Sequence, residues 1–300
     1  VAVTLASALL INRLVAQPVL RMARAADRVR QARARAISLP DLARRDDEVG
    51  DLTRSLEAMT QALSERMDAI EAFAADVAHE IRNPLTSLRS AVETLDLVTD
   101  PAARERLLNV LKNDVQRLDR LVTDISNASR LDAELSRDQP RSIDLGRLIG
   151  DIVGLYQATA KPGEVTVAFA PHSAEKVTVM GREGPLGQIV RNLVDNARSF
   201  SPAGGEVTVG LFRVKGEAIV TVSDEGPGIP PENLETIFER FYTSRPKGAA
   251  FGGNSGLGLS IARQIAAAHG GALRAENKTG AGGEVLGAMF TLTLPLAGGG

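Results

Sequence analysis

The chain has 300 residues, 44% of them hydrophobic and 24% charged, with a formal net charge of -2. That length accommodates two or three ordinary domains, and the near-neutral balance argues against a nucleic-acid-binding surface or an acidic substrate. The absence of cysteine excludes disulfides and thiolate chemistry and fits a cytosolic setting. With 3% aromatic residues and no tryptophan, aliphatic helical packing is favoured over an aromatic-rich sandwich.

The sequence opens on an apolar run, VAVTLASALLI, followed by Asn12 and Arg13. A membrane helix needs about 20 such residues. With no initiator methionine, residues 1–12 are expected to be the end of a truncated transmembrane helix. Arg13, Arg21 and Arg24 then read as its basic, cytoplasmic flank.

The stretch RRDDEVGDLTRSLEAM starts a long apolar stripe. Val49, Leu52, Leu56, Met59, Leu63, Met67, Ile70, Phe73, Val77 and Ile81 recur at steps of three or four, and Leu85, Leu88, Val92 and Leu95 continue it. Such a run predicts a long helix of a coiled coil or bundle, hence an oligomer. Asp100-Pro101 is a helix restart, with Asp as the cap and Pro in the first turn. A second stripe then runs from Leu107 to Ile125. Two helices joined this way form an antiparallel hairpin, and two hairpins complete a four-helix bundle.

Within the first stripe lies AFAADVAHEIRNPLTSL, residues 72–88. At about 100° per residue, His79 is about 200° from both Val77 and Ile81, so it points away from the apolar face. Glu80 is adjacent, and Asn83 lies one turn on. Pro84 removes the N–H that the carbonyl of Glu80 would accept from, and its ring bends the helix beside the histidine. The stretch is not an H-E-x-x-H zinc site, because Asn83 stands where the second histidine is needed. An incidental surface histidine is the bland alternative.

After about residue 138 the pattern changes. VTVAFA, VTVMG, EVTVGLFRV, AIVTVSDEG and FTLTLPL read as strands, with helices near 186–200 and 255–269. The result is an α/β layer with helices on one sheet face. In QIVRNLVDNARSF, Asn192 and Asn196 share a helix face and offer oxygen ligands to a hard cation such as Mg²⁺; a merely polar outer face is the alternative. In VSDEGPGIP, Asp224 ends a strand before Gly226 and Gly228. The run FGGNSGLGLSIA opens a helix, and Gly252, Gly253, Gly256 and Gly258 let backbone N–H groups approach phosphates. No Walker loop or dinucleotide fingerprint is present, so a nucleotide site here is built differently.

In order, HEIRNPL, QIVRNLVDNA, DEGPGIP, IFERFYTSR and GGNSGLGLSIA resemble the H, N, first G, F and second G boxes of bacterial sensor histidine kinases. The preceding segment, with Pro18 and DEVGDL, resembles a HAMP signalling module. The runs NARSFSP and FYTSRPKGAAFGGNSGLGLSIARQIAAAHGG look most like one alphaproteobacterial group of these kinases.

The resemblance implies an α+β chain: the transmembrane end at 1–12, a HAMP coiled coil at 13–69, a dimerisation and histidine-phosphotransfer hairpin at 70–138 that pairs as a dimeric four-helix bundle, a GHKL-type α/β-sandwich ATP-binding domain at 139–297, and a disordered tail at 298–300. It implies His79 as phosphoacceptor, Glu80 as the carboxylate polarising its ring, and Asn83 as the residue that orients water for dephosphorylating the partner. ATP and Mg²⁺ are the implied cofactors. Asn196 is the implied metal ligand, supported by Asn192, and Asp224 the acceptor for the adenine amino group. Gly226, Gly228, Gly256, Leu257 and Gly258 would frame the pocket and a lid near 243–255, anchored by Phe238 and Phe241. The implied partners are a second copy of the chain, the receiver domain of an OmpR-type response regulator, and the inner membrane, with no nucleic acid.

One departure stands out. Family members often carry a lysine and a tyrosine after the N box, whereas Ser199 and Phe200 follow Arg198 here. His172 and His269 match no box and read as structural or solvent-facing residues. A GHKL ATPase without phosphohistidine and a silent coiled-coil adaptor are the competing readings. Asn192 stands against the first, where a glutamate base would be expected.

Overall fold

The computed structural model describes residues 1–31, 35–137, 139–172, 176–242, 255–280 and 282–297. The expected lid, with Gly252 and Gly253, and the expected tail lie outside the described residues, Ser255 excepted. The chain divides into two compact units, Val1–His79 and Glu80–Gly300.

The first unit begins with α1 (Ala2–Ile11), a π turn at Asn12–Ala16 and α2 (Gln17–Arg30), which follow one another without a break. Val3–Arg30 is long and apolar enough to cross a membrane by length and composition. The helix therefore continues well past the apolar run that the sequence marks, and it carries Pro18 directly after the π turn at Asn12–Ala16. A short α3 (Pro40–Ala43) leads to α4 (Glu48–Leu95), which passes through Pro84 within its span.

Met22 and Ala25 of α2 pack with Ile37, Leu39 and Leu42, and Val49 and Leu56 of α4 cover them. The polar atoms at this seam are paired. Thr53 donates to Val49 O at 2.7 Å, and Thr60 Oγ1 accepts from Ile37 N at 3.1 Å. Leu39 N donates to the Glu57 carboxylate. Gly50 is required where α4 starts, since a Cβ there would run into the Arg45 carbonyl.

The face of α4 turned into this core carries small polar residues, Thr53, Thr60 and Ser64, all buried. Apart from Val49 and Leu56, this part of the apolar stripe points elsewhere: Leu52, Met59, Leu63, Met67 and Ile70 are each more than half exposed in the single chain. Such a contiguous row of exposed large apolar side chains marks an interface.

In the second unit the end of α4 is followed by α5 (Pro101–Arg137). Asp100 caps α5 as expected, accepting from Ala102 N at 3.2 Å and Ala103 N at 3.1 Å. Glu80 Oε2 lies 3.0 Å from Arg117 Nη2, both side chains being largely buried. The rest of the unit follows as β1 (Arg141–Asp144), α6 (Leu145–Thr159), β2 (Thr166–Pro171), β3 (Thr178–Gly181), α7 (Glu183–Phe200), β4 (Glu206–Val214), β5 (Glu217–Ser223), α8 (Gly258–Ala268), β6 (Ala272–Thr279) and β7 (Val285–Pro295).

A 5-stranded sheet has the order β2-β4-β5-β7-β6, and β1 pairs with β3 in a small antiparallel ribbon. Only β2 and β4 run parallel in the larger sheet. Helices α6, α7 and α8 lie side by side on one face. The inward side chains alternate along the strands, as period-2 geometry requires: Val207, Val209 and Leu211 on β4, Val220 and Val222 on β5, Phe290, Leu292 and Leu294 on β7. Opposite them, Ile149, Ile189, Leu193, Ile261 and Ile265 are buried from the helices.

His269 proves structural. Its Nδ1 donates to Ile265 O at 2.8 Å, while its Nε2 accepts from Arg182 N at 3.2 Å, which fixes a neutral Nδ1–H tautomer. His172 stacks on Phe212 with ring centroids 4.3 Å apart.

Candidate functional site

His79, Glu80 and Asn83 sit on one turn of α4, where His79 and Asn83 are exposed and Glu80 is half-buried. The ion pair to Arg117 pins the Glu80 carboxylate to α5. Pro84, at the next position, is buried. These three polar residues do not line the large cavity of the second unit; of the other expected residues, Asn192, Asn196, Asp224, Gly228, Gly256 and Gly258 line it, whereas Gly226 and Leu257 do not.

That cavity has a volume of about 720 Å³ and is lined by Asn192, Asn196, Asp224, Gly228, Gly256 and Gly258, among others. Volumes of this order suit a small organic ligand. Asn192 and Asn196 come from α7, four residues apart, and Asn192 Nδ2 donates to Gly258 O at 2.9 Å, which ties α7 to the start of α8. Asn196 is half-buried at the wall. Leu257 is fully buried beneath the first turn of α8.

Asp224 leaves the sheet at the end of β5 and is only 3% exposed. Its Oδ1 accepts from Gly226 N and from Ala288 N, both at 2.9 Å. Burial pushes its pKa above the ordinary 3.8, and these two N–H groups and Lys278 oppose that shift. A carboxylate held by one oxygen at the floor of a cavity is suited to accept from a ligand's amine with the other. Because its folded pKa is raised, this acceptor protonates at a higher pH than an ordinary aspartate. Affinity for a ligand that donates an amine hydrogen to this carboxylate is therefore expected to fall in mild acid, at a pH above 3.8, as a binding titration against pH would show. An Asp224→Asn chain should lose that inflection.

Two glycines here are dictated by geometry. Gly228 has φ 77°, and a Cβ on it would strike Val285 and the Asn277 side chain. Asn277 in turn holds the loop by exchanging two 2.7 Å hydrogen bonds with the backbone of Ile229. Gly256 has φ 75°, and a Cβ would meet the backbone of Phe241 at 2.7 Å. Phe241 itself has φ 60°, and its N–H donates to Gly256 O at 3.0 Å. Residues 242 and 255 are thereby brought close on either side of 243–254. Phe238 packs edge-on against Phe290, with centroids 6.3 Å apart and the Arg263 guanidinium 5.0 Å from its ring.

Sequence reasoning missed several residues of the wall: Arg120, Thr123 and Asp124 enter it from α5, and Glu164 from the α6–β2 connection. Asp195 and Arg198, from the same run as Asn192 and Asn196, line it from α7. Tyr156 donates to Asp195 Oδ1 at 2.7 Å, and burial followed by the Asp195 carboxylate pushes its phenol far up. The Arg198 guanidinium lies 5.3 Å from the Tyr156 ring centroid and 3.5 Å from Glu164. Ser255, 4% exposed, accepts from Leu257 N at 3.1 Å and donates to Asp124. Burial raises the Asp124 pKa; Ser255 and Arg120 lower it, and Asp195 raises it further.

Residues 10–65 match the HAMP domain, residues 69–134 the His Kinase A (phospho-acceptor) domain, and residues 181–298 the Histidine kinase-, DNA gyrase B-, and HSP90-like ATPase. The chain is 50% identical to Sensor protein ChvG of Rhizobium meliloti (strain 1021) over 294 residues, 96% of this chain and 51% of that protein. It thus spans about half the length of the curated relatives it matches. Among solved structures, histidine kinase ThkA in complex with response regulator protein TrrA is similar at a TM-score of 0.58 and 26% identity, over 78% of this chain and 64% of that one. Full-length ShkA in complex with AMPPNP is similar at a TM-score of 0.50 and 28% identity, over 74% of this chain and 45% of that one. The chain belongs to the bacterial sensor histidine kinase family and carries its HAMP, phosphoacceptor and ATPase domains in that order.

Proposed function

We propose that the chain is the kinase portion of a membrane-bound sensor that phosphorylates itself on His79 at the expense of ATP and passes the phosphoryl group to an aspartate of a response-regulator receiver domain. The observation that carries this reading is the pairing of an exposed histidine, followed by a half-buried glutamate, on a bundle helix with a cavity that gathers Asn192 and Asn196, a buried aspartate and three glycines. Asp224 would accept the adenine amino group. Asn196, supported by Asn192, would hold Mg²⁺ through its side-chain oxygen, which suits a hard cation.

A neutral imidazole attacks through its bare nitrogen, and a carboxylate beside it favours the nucleophilic form. Glu80, anchored by Arg117, keeps such a carboxylate at the next residue. The new N–P bond replaces the bond to the β-phosphate bridging oxygen, and ADP leaves. The residues supply mainly positioning and charge stabilisation. Asn83, one turn on from His79, would orient water when the partner is dephosphorylated, making the protein a phosphatase as well.

The exposed stripes of α4 and α5, with Leu85 and Val92 on one and Val115 and Val122 on the other, would be covered by a second copy in a four-helix bundle. Val3–Arg30 would include the end of an inner-membrane span, with the rest cytoplasmic. The domains would then divide at 13–69, 70–138 and 139–297, and the regulator would be of the OmpR type. Incubating the labelled chain with such a receiver domain should move the label onto the receiver in a Mg²⁺-dependent way. Label that stays on the chain with every receiver offered would contradict the transfer step.

A further inference from the structure

Helix α5 belongs to the phosphotransfer hairpin, yet Arg120, Thr123 and Asp124 form part of the cavity wall. The contact is specific: Asp124 accepts from the Ser255 hydroxyl, and that same hydroxyl accepts from Leu257 N at 3.1 Å. Ser255 is buried and stands two residues before the Leu257 cap of α8. A carboxylate is thus fixed beside the first turn of α8, where free N–H groups and the helix dipole favour a negative charge. That is also the end of the cavity where Gly256 and Gly258 let a ligand's phosphates approach the backbone.

Asp195 adds a second negative charge that acts on Asp124, and Arg120 is the cation that partly offsets it. The half-buried setting of Asp124 weakens screening by water, so its charge reaches across the wall at more than its surface strength.

We propose that Asp124 is a positioning residue for the nucleotide: it latches the first turn of α8 to the phosphotransfer helix and holds a negative charge where the triphosphate must sit, so that nucleotide affinity depends on where α5 stands. The inference rests on the ATP-binding reading of the cavity. Release of the latch and entry of the triphosphate favour each other, because both relieve the same repulsion. By linkage, whatever moves α5 away tightens nucleotide binding, and bound nucleotide promotes the released state.

The test is calorimetric titration of the full chain with two probes, AMPPNP and adenosine. Asp124→Asn keeps an oxygen to accept from Ser255 and removes only the charge. It should tighten AMPPNP binding by roughly fivefold or more at low salt, leave adenosine binding unchanged, and lose much of the difference at high salt. Arg120→Gln removes a cation from the same wall and should shift AMPPNP affinity the other way. AMPPNP binding that is unchanged in Asp124→Asn, or that moves by the same factor as adenosine binding, would overturn the latch. If the unsubstituted chain bound neither probe, the nucleotide reading would fall together with it.

Discussion

Replacing His79 by Gln is expected to abolish incorporation of label from γ-labelled ATP while leaving nucleotide affinity within about twofold of the original. The expectation follows from position. His79 is exposed on α4 and is not among the residues lining the cavity, so its loss removes the acceptor without touching the wall. Glutamine keeps the helix and a polar side chain but offers no nucleophilic ring nitrogen. Undiminished labelling of this variant would place the acceptor elsewhere. A collapse of nucleotide binding together with labelling would mean that the histidine has a structural part that its exposure does not indicate.

Asp224→Asn should produce the opposite pattern. The present Oδ1 accepts from two backbone N–H groups, Gly226 and Ala288, at 2.9 Å. Asparagine can serve those donors with its one carbonyl oxygen, but then turns an NH₂ toward the ligand where the carboxylate offered an acceptor. A donor facing the adenine amine loses a charge-assisted hydrogen bond, worth about 1.5–3 kcal/mol, or roughly 10- to 150-fold in affinity. Labelling of His79 at limiting ATP should fall by a similar factor and recover in part at saturating ATP. Calorimetry with AMPPNP checks the first figure, and a labelling series against ATP concentration checks the second. Equal affinity for the variant and the original chain would remove Asp224 from the adenine site.

Much of this architecture was legible in the sequence because it is written in local periodicity. The stripe from Val49 to Leu95 predicted one helix, and α4 spans Glu48–Leu95. Asp100 was readable as a cap because an aspartate before proline has few other uses, and both of its oxygens accept from the first turn of α5. EVTVGLFRV coincides with β4 because β-branched alternation is a strong signal. Other elements were hidden for physical reasons. Helix α6 carries Gly146, Gly150 and Gly154, each of which weakens helix propensity, and is held by packing of Ile149, Ile152 and Val153. Strand β6, ALRAENKT, is a polar edge strand with only Leu273 buried, so it lacks a full alternating pattern.

The residues of the cavity divided along the same line. Asn192, Asn196, Asp224 and the glycines were visible because unusual residue types cluster within short stretches. Asp124 was not, since an aspartate between Val122 and Ile125 is an ordinary polar position of an amphipathic helix. Its partner Ser255 is 131 residues away, and only the fold brings them together. Glu80 illustrates a further limit. Its place beside His79 is sequence information, whereas its anchoring by Arg117, 37 residues on, is not. The stripe of α4 also needed the structure to be read fully. It marks a helix either way, but only the structure shows that Val49 and Leu56 cover the core of their own chain, beside buried Thr53, Thr60 and Ser64, while Leu52, Met59, Leu63, Met67 and Ile70 face away from it.

The central claim is that phosphate is carried on a nitrogen of His79, and the chemistry of the bond tests it most directly. The purified chain is incubated with γ-labelled ATP and Mg²⁺, and the labelled band is then treated with acid and with alkali. A phosphoramidate loses its label in acid and keeps it in alkali, which is the result expected here. Label that survives acid would mean a phosphate ester on a hydroxyl, and steady phosphate release without label would mean a plain ATPase. Either of those would contradict the account.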